Sequence, residues 1–328
     1  MRESGVLMHI TSLPGKYGVG TMGKHAFAFV DFLKRAGQSC WQILPLTPTG
    51  YGNSPYQSMS TFAGNPYLID LELLAEEGLL TQQELDAVDW GNSEEKVDFG
   101  RLYHNKLNVL RKAFVRHGET EEFARFKAGN DWWLPGFAAY MVLKDHFDGK
   151  PWYQWPDELR RRTVPVIDAA VKYAGYEGYQ FYCFVQYLFF KQWEALRAYA
   201  HENGISIIGS HYDYKKILND PEKVMEVHDM WGTKNVGIGG MGKEPRQSLE
   251  NLKEFIDQFN KTAEIYAKEG FRLTYHHHNY EFARIDGFKT IMDLLVENFD
   301  PKNISFVLDT CWVAAGGGDV RAWMEKLA

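Results

Sequence analysis

The sequence predicts an α/β fold of the (β/α)8 barrel type, incomplete at about six strands, with a helical insertion between the second and third. Three observations predict it. Short apolar runs bounded by turn residues recur along the 328 residues, as buried parallel strands do. Helical patterns separate them, the alternation of a parallel sheet with crossovers. Between the second and third runs the helices are too numerous for a simple crossover.

Composition is that of a globular protein: 45% of residues are hydrophobic and 24% charged, enough to bury a sizeable core at this length. Aromatic residues reach 15%, a surplus found both in cores and where carbohydrate rings are stacked. The net charge of −7 and the lack of a basic stripe argue against nucleic acid or a membrane surface as partner. There is no signal-peptide pattern and no apolar run long enough to span a bilayer, so a cytoplasmic protein is expected. Cys40, Cys183 and Cys311 are scattered and form no CxxC pattern or disulfide framework.

Residues 5–10, GVLMHI, read as the first strand, and His9 near its end is placed either to face a ligand or to serve as a structural strand histidine. The turn SLPGKYGVGTMG leads into a helix over 25–36 that stops at Gly37, a residue suited to the position after a helix. Residues 40–45, CWQILP, form the second strand. Its carboxyl end opens into the loop 46–66, LTPTGYGNSPYQSMSTFAGNP, at the end of the sheet where such folds hold ligands. Tyr51 and Tyr56 stand there among short polar residues, and Gly50, Gly52 and Gly64 allow close backbone approach. Aromatic faces beside small polar groups suit a sugar; a turn-rich loop with two ordinary surface tyrosines is the plainer alternative.

Residues 70–179 form the helical insertion, with apolar positions at a 3.6-residue period and charged opposite faces. Trp132, Trp133, Trp152 and Trp155 serve either ring stacking or core packing; Asp145 and His146 are a helix-surface pair or an acid–base pair, and Arg160, Arg161 and Arg162 a solvated face. A helix over 180–203 stops at Gly204 and hands over to the third strand, 205–209, ISIIG. The expected divisions are 1–69 for the first strands and loop, 70–179 for the insertion, 180–209 for the third helix–strand unit and 210–328 for the remainder.

Three runs within the first 209 residues resemble the 4-α-glucanotransferases, the amylomaltase or disproportionating enzymes of glycoside hydrolase family 77. They are SGVLMHITSLPGKYGVGTMG at 4–23, AGQSCWQILPLTPTGYGNSPYQSMSTFAGNPYLIDLELL at 36–74 and FVQYLFFKQWEALRAYAHENGISIIG at 184–209. The resemblance implies a glycosyltransferase of carbohydrate metabolism that moves α-1,4-glucan segments without a cofactor, with a malto-oligosaccharide as substrate. It implies substrate-binding roles for Tyr51, Ser54, Tyr56 and Ser58 in the loop, and for His9. Retaining transfer uses a nucleophile and an acid/base carboxyl about 5–5.5 Å apart. The family's own carboxylates lie on later strands, and no position after Gly209 matches their motifs. The catalytic residues are therefore unassigned, with Asp213, Glu281 and Asp309 as the strand-end carboxylates available.

From about residue 207 strands and helices continue to alternate, with strands expected at 235–240, 272–277 and 304–309 and helices at 247–268, 290–298 and 320–326. Here IIGSHYDYKKILNDPEK, EGFRLTYHHHNYEF and NISFVLDTCWVAAGGGDVRAWMEKL resemble the xylose-isomerase-like sugar-phosphate isomerases and epimerases. Alternation along a strand puts His276 and His278 on one face and His277 on the other. The second resemblance implies a divalent metal (Mn, Co or Mg) at His276, His278, Glu281 and Asp309, polarising a sugar carbonyl; an ordinary polar strand end is the alternative for the histidines. Together the two resemblances describe an apparent chimera joined at equivalent third strands. A metal-dependent isomerase or epimerase and an inactive glucan-binding scaffold are then the alternatives to glucan transfer. The chain is expected to stop about two strand–helix units short of the roughly eight that close such a barrel, leaving an open sheet edge through which copies associate.

Overall fold

The computed structural model describes residues 5–50, 53–91, 93, 96–161, 163–208, 212–231, 233–285 and 287–327. The chain divides into two compact units, Ser4–Ile207 and Ile208–Ala328.

In the first unit β1 (Gly5–Leu7) runs parallel to β2 (Cys40–Gln42), and β3 (Ser206–Ile208) completes a sheet of order β1-β2-β3. β1 and β2 are shorter than the apolar runs that announce them, because the ladder ends with Leu7 opposite Gln42 and residues 10–12 coil into a 3-10 turn. α1 (Lys24–Arg35) connects them, burying Ala26, Val30 and Leu33 on one face. A fully buried valine or leucine gains about 1.5–3 kcal/mol, so this stripe docks the helix. Lys34 and Arg35 in its last turn complement the helix dipole, and Gly37 at φ +68° ends it as expected, with its amide and that of Gln38 closing on Lys34 and Leu33.

The insertion between β2 and β3 holds α2 (Leu71–Glu76), α3 (Gln82–Asp86), α4 (Phe99–His117), α5 (Glu121–Gly129), α6 (Leu134–His146), α7 (Asp157–Arg160) and α8 (Val166–Ala174), followed by α9 (Tyr176–Glu202). Asp70, Thr81, Asp98 and Thr120 cap the first four through side-chain oxygens. α9 is the axis of this unit: every residue from Tyr179 to Phe189 is buried, and α4, α5, α6 and α8 pack around it. Trp133 and Trp155 lie in the core, while Trp132 and Trp152 are exposed. Asp145 accepts from the Tyr182 hydroxyl and pairs with Arg111, and Arg160 and Arg161 pair with Asp157; Arg162 lies outside the described residues.

In the second unit β4 (Asn235–Ile238), β5 (Arg272–His276) and β6 (Ile304–Val307) form a parallel sheet in that order. Tyr212 pairs with Ile238 on the side of β4 away from β5. The helices are α10 (Tyr214–Asn219), α11 (Pro221–Trp231), α12 (Leu249–Lys268), α13 (Ile291–Asn298), α14 (Thr310–Ala315) and α15 (Val320–Lys326). Ser248 and Thr290 cap α12 and α13, and α12 buries Phe255, Phe259 and Tyr266 in a cluster shared with Leu273 and Tyr275 of β5.

Among the described residues the six strands thus form two three-stranded sheets, each with its own apolar cluster. No helix among the described residues is long and apolar enough to cross a membrane.

Candidate functional site

β2 delivers the chain into the loop 46–66. Trp41, fully buried, donates its indole N–H to the Met8 carbonyl at 2.7 Å and so ties the end of β1 to the loop's entrance. The loop closes on its own start, Asn65 N donating to Leu46 O at 2.8 Å. Between these roots Thr49 and Ser58 form an antiparallel bridge and Gly50 N donates to Gln57 O at 3.3 Å, making a small hairpin. Tyr51 and Gly52 lie outside the described residues. Tyr56 is 55% exposed. Ser54 Oγ accepts from the Tyr56 amide, and Ser58 Oγ donates to Ser60 O at 2.7 Å while accepting from Ser60 N. Three of the sequence-derived binding residues, Ser54, Tyr56 and Ser58, therefore share one internally bonded hairpin.

His9 follows the neighbouring strand end. Its Nδ1 is buried without a hydrogen-bond partner, and burial pushes the imidazole down to about 4. The ring is therefore neutral at physiological pH, able to meet a polar ligand atom but not to act as a cation.

Sequence reasoning missed the side chains that hold this loop from beneath. Gln186 of α9 accepts from Gly64 N at 2.7 Å through Oε1 and donates to Gly64 O at 3.0 Å through Nε2. Gln192, further along α9, does the same with Asp70, at 2.6 and 3.1 Å. The signal available was three amides, Gln180, Gln186 and Gln192, spaced six residues apart in a largely apolar helical run, YQFYCFVQYLFFKQW. Lys106 of α4 was missed as well. It is wholly buried, donates Nζ to Ile69 O at 2.6 Å, and is pushed by burial down to about 7 against the upward pull of Asp70.

In the second unit the histidines gather at the ends of β5 and β6. β5 stops at His276, so the strict alternation expected over 276–278 does not apply. His276 Nε2 lies 3.2 Å from Asp309 Oδ2, and His277 Nε2 accepts from the Asp309 amide at 3.1 Å; both therefore reach the same residue. The buried Glu281 carboxylate accepts from the Tyr275 hydroxyl at 2.6 Å and the His278 amide at 2.9 Å. Burial pushes its carboxyl up to about 7, against both of those donors. Burial also works on Asp309, but the Trp312 amide and His276 hold it below the ordinary carboxylate range. Asp213 caps α10, accepting from Lys215 N at 2.8 Å.

Among the described residues no group of three or more His, Cys, Asp or Glu side chains is placed to hold a metal ion. His276, His278, Glu281 and Asp309 do not assemble as the expected ligand set, because Glu281 is committed to Tyr275 and its own turn, and Asp309 to His276 and the cap of α14. The residues present do not fit that metal.

The sequence profile of the 4-alpha-glucanotransferase family, glycoside hydrolase family 77, matches residues 8–212. The 4-alpha-glucanotransferase of Thermus thermophilus is 48% identical over 214 residues, covering 63% of this chain and 42% of that protein. The Aquifex aeolicus 4-alpha-glucanotransferase is 38% identical over 312 residues, covering 88% of this chain and 60% of its own. A share of 88% exceeds the first 209 residues, so that alignment runs on past Gly209. The solved amylomaltase from Streptococcus agalactiae, in complex with acarbose, superposes with a TM-score of 0.61 at 30% identity, over 97% of this chain and 72% of that one. The chain spans about two fifths to three fifths of the length of these curated relatives, 42% and 60%. With its loop 46–66, its α9 and both of their flanking strands inside the matched segment, the chain belongs to the 4-alpha-glucanotransferase family.

Proposed function

We propose that this chain is a 4-alpha-glucanotransferase-like protein whose loop 46–66 is its α-1,4-glucan-binding surface. The observation that carries the proposal is the hairpin that presents Tyr56 to solvent within the family-matched segment. An exposed aromatic ring, with Ser54 and Ser58 hydroxyls on the same hairpin, offers one apolar face and neighbouring polar groups to a glucose ring. Tyr51 and the neutral His9 are the further binding residues, and the substrate is a malto-oligosaccharide.

Retaining transfer needs two carboxyl groups about 5–5.5 Å apart. Asp213, Glu281 and Asp309 are each engaged by their own neighbours, so glucan binding is the part of the function this chain's residues carry by themselves. Residues 207–328 we read as the isomerase-like portion of a chimeric chain, a reading that rests on the runs EGFRLTYHHHNYEF and NISFVLDTCWVAAGGGDVRAWMEKL. No reaction is assigned to it.

The test is maltoheptaose binding by titration calorimetry together with maltotriose disproportionation followed by chromatography. Wild type is expected to bind, and Tyr56→Ala to weaken binding by about 1–2 kcal/mol, the scale of a ring-stacking contact, with an unchanged melting temperature. Equal affinity of the two proteins sinks the assignment of Tyr56. Glucose and maltopentaose appearing from maltotriose would extend the proposal to transfer itself and require two carboxyls to meet.

A further inference from the structure

We propose that Gln186 is a positioning residue for the glucan-binding loop, its buried amide setting where the hairpin bearing Tyr56 is rooted. This rests on the glucan-binding reading of the loop.

Gln186 is 1% exposed, and its chain neighbours Phe184, Val185, Tyr187 and Leu188 are buried with it. An amide placed there must find partners or lose stability, and Gly64 satisfies one acceptor and one donor at once. The contact copies the paired N–H and C=O of a neighbouring strand, made by a side chain 122 residues away. Phe189, one turn along α9, occupies the space a side chain at position 64 would need: a Cβ there would lie 2.0 Å from its ring. Backbone and helix are therefore in direct contact at the amide clamp.

Gly64 is the last residue before the loop closes at Asn65, and Ser60 Oγ accepts from the amides of Phe62 and Ala63 just ahead of it. The carboxyl root of the hairpin is thus fixed from Ser60 to Asn65; from outside the loop Phe62 packs against Trp132 and Trp133, and Gln186 supplies the hydrogen bonds. A leucine of similar volume would fill the core but leave Gly64 N–H and C=O unpaired. Gln192 supplies an internal comparison. It makes the same pair of bonds in the same helix, but to Asp70 at the start of α2, beyond the loop.

The test uses Gln186→Glu and Gln192→Glu in the full chain, with maltoheptaose affinity measured from pH 5 to 8. A neutral glutamic acid reproduces both bonds of the amide: its C=O accepts from Gly64 N–H and its O–H donates to Gly64 C=O. Ionised, it has no proton to donate and sets an oxygen anion against the carbonyl. Gln186→Glu should bind as wild type does at pH 5 and lose about tenfold in affinity by pH 8, the loss expected when a buried hydrogen bond is replaced by an unpaired carbonyl. Titratable and charged groups packed along this part of α9 include Arg111 over Phe181, Asp145 on the Tyr182 hydroxyl, His117 beside Phe184 and Tyr187, Glu122 and Glu77 near Tyr187, and Lys127, which donates to Gln180. Wild type carries all of them, and its profile removes their contribution.

Gln192→Glu should lose stability as pH rises but keep its affinity. A folded Gln186→Glu that binds equally at both pH values, or a Gln192→Glu whose affinity falls in parallel, overturns the proposal. Should wild type bind no maltoheptaose, the glucan reading fails by itself and the clamp is judged by hydrogen exchange in residues 54–60. Faster exchange in Gln186→Glu than in wild type at pH 8 supports the clamp, and equal exchange overturns it.

Discussion

Lys106 is an amine that folding carries wholly out of water, and replacing it should make the protein more stable. Its ammonium has one carbonyl, Ile69 O at 2.6 Å, and the nearby charge of Asp70 to replace its hydration. Burial lowers its pKa from 10.5 to about 7, which at about 1.4 kcal/mol per pH unit corresponds to ~5 kcal/mol of preference for the neutral amine. The folded pKa lies below the unfolded one, so between about pH 7 and 10.5 the unfolded chain binds the extra proton. Stability must then rise with pH across that window, at up to about 1.4 kcal/mol per unit, and the full penalty applies below it. Lys106→Met fills the same space without a charge. It leaves the Ile69 carbonyl unpaired, which returns about 1–3 kcal/mol, so the net expectation is ~2–4 kcal/mol of added stability at pH 7. The gain should shrink steadily toward pH 9. Urea unfolding followed by near-ultraviolet circular dichroism at pH 7, 8 and 9 measures both proteins. A wild type whose stability matches the variant's pH dependence, or a variant less stable than wild type at pH 7, refutes the reasoning by showing that the charged amine is well solvated where it stands.

Gly64→Ala sets a methyl 2.0 Å from the Phe189 ring on a backbone held by Gln186. A cost of about 1–3 kcal/mol in urea unfolding is expected, and a variant within about 0.5 kcal/mol of wild type would show that the loop root yields freely. Glu281 has a folded pKa raised from 4.5 to about 7, so its stabilising share is complete below 4.5 and lost as pH rises through 7. Glu281→Gln, which keeps an acceptor for the Tyr275 hydroxyl, should therefore gain on wild type between pH 5 and 8; parallel stability curves would place the carboxyl in a better-solvated environment than its burial implies.

The strands were legible wherever a short apolar run met a turn, and what sequence periodicity misjudged was their length. Residues 40–45 are apolar but for Gln42, yet only three of them pair with β1, which supplies only Gly5 to Leu7. Strand length depends on the partner, and no local pattern records it. Capping was readable at Gly37 because the requirement is local. Lys106 and Gln186 were not, because each stands on the apolar face of its helix while its partners lie far off in the chain. Lys106 shares the stripe of Leu102, Val109, Leu110 and Ala113, and Asp70 and Ile69, which meet it, come 36 and 37 residues earlier. The histidine run misled in the opposite way: its alternation assumed a strand through His278, whereas the backbone turns after His276 and lets His276 and His277 both meet Asp309.

That turn decides what the carboxylates at the ends of β5 and β6 can do. Asp309 accepts from the amide that starts α14 and faces His276, interactions that favour its charged form and hold its proton affinity low. Glu281 has the proton affinity of a group that works near neutral pH, but both of its oxygens are taken by Tyr275 and the His278 amide in a fully buried position. A general acid must reach the atom it protonates, and the carboxylate of Glu281 is turned to Tyr275 of β5 and to its own turn. These residues bind β5, β6 and the turn 279–282 together, as a structural network with functional-looking members. The hairpin of the first unit has the opposite character: it is bonded internally at its base, anchored to α9 by Gln186, and exposes Tyr56. A binding surface needs an anchored root and an exposed face, and it is on these two features of the hairpin that the proposed glucan-binding role rests.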